Sequence, residues 1–264
     1  MMATTARFIE ALALPASCRI DQRVPKKMLV ENGAPTAADK RLINETIEEI
    51  QWLAALKPNT VGVAEYRDDA REYLEVAVLS IAARRAPEGD VATGAIKPVN
   101  TTRLAELVHR AVPYPVLLLV TAPQGLFLSL AHKRWAQNEA GKVVLDGEPT
   151  TVDLGTELTA GHAFVQALAL SRQPQTSLLA LYQGWIDCLT AWQAAQYTDE
   201  FKLSDTLMQS DARRAGLHRC HALDVRIAGL RASAGKEKQM ARQVAINLEI
   251  KSLLAERQQV VAVL

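Results

Sequence analysis

The sequence predicts an α+β fold, with a small mixed or antiparallel β-sheet and flanking helices, followed by a helical region that ends in a long antiparallel, coiled-coil-like hairpin. Three observations carry this expectation. Residues 103–134, RLAELVHRAVPYPVLLLVTAPQGLFLSLAHKR, read as a helix, a corner between two prolines, a buried strand and a returning strand. Residues 142–154 show short strand patterns about the turn pair Asp146-Gly147. From about residue 156 onward, apolar residues recur at helical spacings of three and four.

Taken in order, residues 4–14 form a first helix with Phe8, Ile9, Leu12 and Ala13 as its docking face, closed by Pro15. The segment SCRIDQRVPKKMLVENG is expected to be irregular or weakly extended and carries a basic cluster, Arg19, Arg23, Lys26 and Lys27. Thr36 with Asp39 resembles a capping box, and Leu42, Ile43, Ile47, Ile50, Leu53 and Ala54 continue an apolar stripe to Leu56, so one helix is expected up to Pro58. Residues 60–66 and 73–81 read as two strands joined by a turn at Arg67, Asp68 and Asp69, and should pair as a hairpin. Residues 84–99 hold two prolines and two glycines among small residues, which predicts a long surface loop.

In the next helix, Leu104, Leu107, Val108, Ala111 and Val112 form the apolar side and Arg103, Glu106, His109 and Arg110 the polar side. Asn100 or Thr101 is the expected N-cap, and Pro113 and Pro115 end the helix. Residues 116–120 then make a strand buried on both faces, Pro123, Gln124 and Gly125 turn the chain, and residues 126–131 return. Residues 142–145 and 149–154 are expected to pair across Asp146-Gly147.

The division expected is an α+β domain over residues 1–155 and a helical region over residues 156–264. Phe164, Val165, Leu168 and Leu170 define one helical segment, closed by Pro174, and residues 178–196 a second. The final pair spans residues 205–264 and reverses at Gly235, with Leu217, Cys220, Leu223, Ile227 and Leu230 as the seam of its first helix. The last helix has two apolar arcs. Met240, Val244 and Leu248 lie on one; Ile246, Ile250, Leu253, Val260 and Leu264 lie on the other and are the candidate partner interface. Two arcs imply two contacts, one with the hairpin mate and one with the body or a second protein.

Composition narrows the function classes. The formal net charge of +1 argues against a polyelectrolyte partner for the whole chain. From residue 200 onward there are 11 Lys and Arg against 7 Asp and Glu, while the rest holds 19 against 22, so the tail is basic. Cys18, Cys188 and Cys220 are odd in number and far apart, which predicts reduced thiols and a cytoplasmic setting. No run reaches the ~18 apolar residues of a membrane span, and no membrane association is expected.

The chemistry-bearing motifs of four common enzyme classes, GxxxxGKS, GxGxxG, GxSxG and HExxH, do not occur. A restriction-type nuclease needs an acidic-x-Lys pair to hold magnesium, and Glu75 is not followed by a lysine two residues on. His218, Cys220 and His221 sit close in sequence, yet on a helix only the two histidines share a face, so no metal centre is assigned. No catalytic residue and no cofactor are assigned either. His132, Lys133 and Arg134, at the end of a buried strand, are candidate contacts for a phosphate or carboxylate. Arg213, Arg214, Lys238 and Arg242, within the basic tail, are candidate contacts for a nucleic-acid backbone, together with the basic cluster near the N-terminus.

The segments RVPKKMLVENG, IQWLAALKPNTVGV, HRAVPYPVLLLV with its echo LSLAHKR, and EKQMARQVAINLEIKSL together resemble an uncharacterised bacterial family, the domain of unknown function DUF4391. The resemblance covers most of the chain and includes no catalytic motif; the loop at 84–99 looks long for the family. It implies a setting beside DNA helicases and DNA methyltransferases of restriction-like or phage-defence clusters. The expected function is therefore a non-catalytic accessory subunit of such an assembly, docking a helicase, a methyltransferase or a second copy through its C-terminal helices. A sequence-nonspecific DNA-binding module and an atypical metal-dependent nuclease are the alternatives.

Overall fold

The computed structural model describes residues 2–84, 98–137, 139, 141–155, 158–159 and 161–264. Most of the loop expected at 84–99 lies outside the described residues. The chain forms two compact units, Met1–Ile186 and Asp187–Leu264.

The first unit begins with helix α1 (Met2–Ala11), strand β1 (Arg19–Arg23), and helices α2 (Lys26–Gly33) and α3 (Ala37–Thr46). Strand β2 (Ile47–Leu56) is followed by a single turn of helix, α4 (Pro58–Val61), and by the short strands β3 (Tyr66–Arg67) and β4 (Glu72–Tyr73). Then come β5 (Val76–Ala83), α5 (Thr101–Ala111), β6 (Val116–Ala122) and β7 (Gly125–Leu130). The strands β8 (Lys133–Trp135), β9 (Val143–Leu145) and β10 (Thr150–Asp153) precede α6 (Ala163–Ala167). Helix α7 (Leu178–Thr198) begins in the first unit and ends in the second, which also contains α8 (Leu207–Ala234) and α9 (Met240–Val261).

The central sheet has the order β1-β2-β5-β6-β7-β10. Every neighbouring pair is antiparallel except β5 and β6, which run parallel and are joined through α5. That crossover explains the continuous apolar runs of β5 and β6: the middle strands of a sheet covered on both faces have no polar side to alternate with. Against one face pack Leu29 of α2, Ile43 of α3, and Leu104, Leu107 and Val108 of α5, meeting Ile50, Leu79, Ile81, Leu118 and Val120 of the sheet. Side chains of opposite parity, Val78, Leu117 and Leu119, are equally buried.

Four local expectations are corrected. The apolar stripe ending at Leu56 is not one helix: α3 stops at Thr46 and the rest is β2, a strand with neighbours on both sides. Its register slips against β5 between Ile47 and Glu49 and between Trp52 and Ala54. Each slip adds a residue to one side of the ladder and shifts the phase of the pleat, so Ile47 and Ile50 enter the same core cluster at a spacing of three, and Leu53 is buried three residues further on, a pattern that imitates a helix. The segment expected to be irregular or weakly extended, residues 17–33, is extended only in β1; its second half is the helix α2. The strands expected at 60–66 and 73–81 do not pair with each other; β3 pairs with β4, and β5 lies between β2 and β6. Residues 142–145 and 149–154 also separate, β9 pairing with β8 and β10 with β7, although Gly147 does turn the chain with φ 86°.

Candidate functional site

His132 lies in the link between β7 and β8 and Lys133 and Arg134 open β8, and the structure gives the three side chains different environments. Tyr73 fixes the first. Its hydroxyl accepts the Lys133 N–H at 3.4 Å and shares a hydrogen bond with His132 Nδ1 at 2.5 Å. The other ring nitrogen, Nε2, is hydrogen-bonded to Gln183 Oε1 at 2.8 Å. Tyr182 completes this polar seam, its hydroxyl donating to the Val116 carbonyl at 2.7 Å and accepting the Ala131 N–H at 2.9 Å. Arg134 lies 3.6 Å from Asp146, which also holds Arg71 at 2.7 Å.

Lys133 differs from both neighbours. It is 3 % exposed, and its Nζ donates to the carbonyls of Val112, at 2.7 Å, and His109, both at the C-terminal end of α5. A cation there meets the negative end of the helix dipole. Burial nevertheless holds its amine down at about 7. Lys133 lines a cavity of about 460 Å³ whose other walls are residues 31–35, the end of α2 and the two residues beyond it, Arg110 in the last turn of α5, and Lys142 with β9. Arg110 and Lys142 are exposed and each pairs with a carboxylate on its own segment, Glu106 at 2.6 Å and Glu139 at 2.6 Å.

His109, expected on the polar side of its helix, is instead fully buried and bonded through Nε2 to Ser129 Oγ at 3.0 Å. Burial, with the nearby Lys133 charge, lowers its pKa to about 3. The sequence signal was weak, because only Ser129 and Thr151 on neighbouring strands supply the polar partners that let an imidazole sit there, their hydroxyls 2.8 Å apart.

The N-terminal basic cluster is largely engaged within its own unit. Lys27 is 3.5 Å from Glu31, Arg23 3.9 Å from Glu49 and Arg19 3.9 Å from Asp21, while the Lys26 amine donates to the Ile47 carbonyl. Glu75, the carboxylate considered for a nuclease, is buried against Lys57 at 3.0 Å, and its second oxygen has no partner. Among the described residues, no group of three or more His, Cys, Asp or Glu is placed to hold a metal ion. Cys18, Cys188 and Cys220 are buried, while His218 and His221 on either side of Cys220 are exposed.

In the second unit, Leu223 and Ile227 of α8 pack against Ile250 and Leu253 of α9, flanked by Leu230, Ile246, Leu254 and Val260. The arc Ile246, Ile250, Leu253 and Val260 therefore meets the hairpin mate, and Leu264 reaches Gly216 of α8. The arc left open is the other one, with Met240 78 %, Val244 53 % and Leu248 63 % exposed. Cations along the hairpin are mostly paired, Arg219 with Glu256, Arg226 with Glu249 at 2.5 Å, Arg257 with Asp224 at 2.6 Å, and Arg214 with Asp211. Tyr197 of α7 donates to the same Asp224 at 3.1 Å beneath the Arg257 guanidinium, 5.0 Å from its ring centre. Arg213 is not on the surface at all; it is buried, with Nε donating to the Leu264 carbonyl at 3.2 Å. Among the described residues, Arg231, Lys236, Lys238 and Arg242 near the hairpin tip, and Lys251 further along α9, form no salt bridge.

A mixed-sheet α+β unit with a cationic cavity, continued by a helical hairpin with one apolar face exposed, defines the class of protein. The family model "Domain of unknown function (DUF4391)" matches residues 12–256, and the chain belongs to that family. No curated protein and no solved structure matches the chain. Among the described residues, no helix is long and apolar enough to cross a membrane.

Proposed function

We propose that the chain is an accessory subunit that docks a partner protein through α9, within a DNA-targeting defence or restriction-modification-like assembly. The observation that carries this reading is the exposed row Met240, Val244 and Leu248, on the side of α9 away from the seam made by Ile250 and Leu253. Apolar residues four apart on one helix form a continuous stripe, and a stripe with its back already buried is the geometry of a helix awaiting a partner. The DNA-related setting rests on the resemblance described for the sequence. The test is co-expression with the helicase or methyltransferase encoded nearby. The wild-type chain should co-purify with one of them, and a variant carrying Met240→Glu, Val244→Glu and Leu248→Glu should not, with helical content unchanged. Equal recovery of partner by both proteins would remove the reading.

A second reading, contact with a nucleic-acid backbone, is favoured by Arg231, Lys236, Lys238 and Arg242, four cations near the hairpin tip that form no salt bridge among the described residues. Phosphate contacts release counterions, so duplex affinity should fall steeply with salt, and removing all four charges should lower the slope of log affinity against log salt by about 3 to 4. Absence of binding at low salt excludes it.

A further inference from the structure

We infer that the cavity between α2, α5 and β9 binds a small ligand carrying an oxyanion, a carboxylate or a tetrahedral phosphate-like group, held by Lys133, Arg110 and Lys142. This site is separate from the docking face of α9 and does not depend on it.

The cavity volume of about 460 Å³ falls in the range of metabolite sites. Three cations line it against a single carboxylate, Glu31, which is already 3.5 Å from Lys27. The most buried of the three, Lys133, has two protons directed at backbone carbonyls and, among the described residues, no carboxylate partner, so the helix dipole is the countercharge it meets there. A buried ammonium left in that state is costly, and an anion beside it would supply the missing countercharge. Arg110 and Lys142 are themselves exposed; Lys142 pairs with the exposed Glu139 and Arg110 with the half-buried Glu106, which Arg103 also holds, so both cations can be redirected to a ligand without leaving a carboxylate buried and unpaired. The wall they share includes β9, an edge strand. Lys142 and Asp146 direct their backbone groups at β8, so by the alternation of an antiparallel ladder Val143 and Leu145 direct theirs away from it, where no strand among the described residues pairs with them. Close packing at the back is secured by Gly33, where a Cβ would lie 2.4 Å from the Leu107 carbonyl oxygen.

The proton state of Lys133 supplies a signature that a merely cationic surface lacks. In the cavity wall Lys133 is accompanied by Arg110 of α5, Glu31 of α2 and Lys142; its amine bonds the His109 carbonyl and its backbone N–H the Tyr73 hydroxyl. The carboxylates adjacent in sequence to these surroundings are Glu72, beside Tyr73 in β4, and Asp146, which follows β9. Glu72 is committed to Arg67 at 2.5 Å and Asp146 to Arg71 at 2.7 Å, so neither carboxylate neutralises it. With an amine poised at about 7, an arriving anion raises the pKa and draws a proton from solvent.

The experiment is calorimetric titration of the full chain with sulfate and, separately, with succinate, at pH 6.5 and pH 8.5 in two buffers of different ionisation heat. Both probes keep nearly constant charge over that range. Saturable binding of either is expected, tighter at pH 6.5 on the order of tenfold. At pH 8.5 the heat should depend on the buffer because a proton is taken up. Whichever probe binds assigns the tetrahedral or the carboxylate class. The double variant Arg110→Gln, Lys142→Gln alters only exposed side chains and should lose binding at least tenfold, while Lys238→Gln at the hairpin tip should not. Lys133→Met, if it folds, should abolish the proton uptake. No saturable binding of either probe, binding indifferent to the Arg110 and Lys142 changes, or binding without proton uptake at pH 8.5 would each overturn the assignment.

Discussion

Arg103 on α5 holds Asp39 on α3 by a two-pronged ion pair, Nε to Oδ1 and Nη2 to Oδ2, each at 2.9 Å. Sixty-four residues separate the two in sequence, so the pair fixes how both helices lie on the sheet. Asp39 also caps its own helix with Thr36, accepting the hydroxyl at 2.7 Å, and Glu106 engages the remaining nitrogen of Arg103 at 2.7 Å. Hydrogen bonds from Arg103 hold the Asp39 carboxyl down at about 2.

Asp39→Asn should therefore destabilise the chain by about 2 kcal/mol at neutral pH, because Arg103 keeps its charge and loses a charged acceptor. The sign with pH follows from a depressed acid. The contribution is complete above the unfolded value of about 4 and is lost as pH falls towards about 2. Denaturant unfolding of both proteins from pH 7 down to pH 2.5 should show the gap closing only below pH 4.

His109 governs a higher window. Its unfolded imidazole takes a proton below about 6.5, whereas the buried one resists protonation down to about 3, so wild-type stability should fall as pH drops from 6.5. His109→Gln keeps a donor for Ser129 and does not titrate. Its stability curve should be flatter between pH 6.5 and 4.5, above the range where Asp39 acts. An unchanged slope there would assign the acid sensitivity to other groups.

These two residues also mark what could be read in the sequence. Thr36 and Asp39 announce a helix start in their own spacing, as do Asn100 and the prolines around α5, because capping is local chemistry; the Asn100 side chain accepts the Arg103 N–H at 3.0 Å. The hairpin of α8 and α9 was legible for the same reason, its seam repeating at three and four. His109 was not, since its burial depends on Ser129 and Thr151, which only the folded sheet brings beneath it. Nor was β2, whose register slips disguise a strand as a helix, nor the pairing of β8 with β9, which lets Lys133 line a cavity while His132 and Arg134 are taken up by Gln183 and Asp146.

Gly33 tests the close approach of α2 to α5. A Cβ there would sit 2.4 Å from the Leu107 carbonyl oxygen and 2.8 Å from the Ala111 Cβ, with backbone on one side that cannot rotate away. Gly33→Ala should cost about 1 to 3 kcal/mol through overpacking, against the gain in helix propensity that alanine brings at an open site. The matching control is Gly229, mid-helix in α8 with nothing within 4 Å of its Cβ position, where Gly229→Ala should stabilise α8 by up to about 1 kcal/mol. Thermal unfolding of the two variants should move in opposite directions.

The hairpin offers the sharpest comparison between a packed and an unpacked arc. Leu253 is 6 % exposed in the seam with Leu223, Ile227 and Ile250, whereas Leu248 on the same helix is 63 % exposed. Leu253→Ala leaves a cavity between the helices and should cost about 2 to 4 kcal/mol, while Leu248→Ala should stay within about 0.5 kcal/mol. Hydrogen exchange of the α9 amides isolates the effect from the first unit, since opening of the hairpin alone exposes them. Exchange should accelerate for Leu253→Ala and remain unchanged for Leu248→Ala. The same pair separates folding from docking: partner binding lost in Leu253→Ala would follow from an opened hairpin, whereas loss in the charged variant at Met240, Val244 and Leu248, with exchange unchanged, can only come from the exposed face. Equal acceleration in both alanine variants would mean that Leu248 is structural and that α9 has no free side.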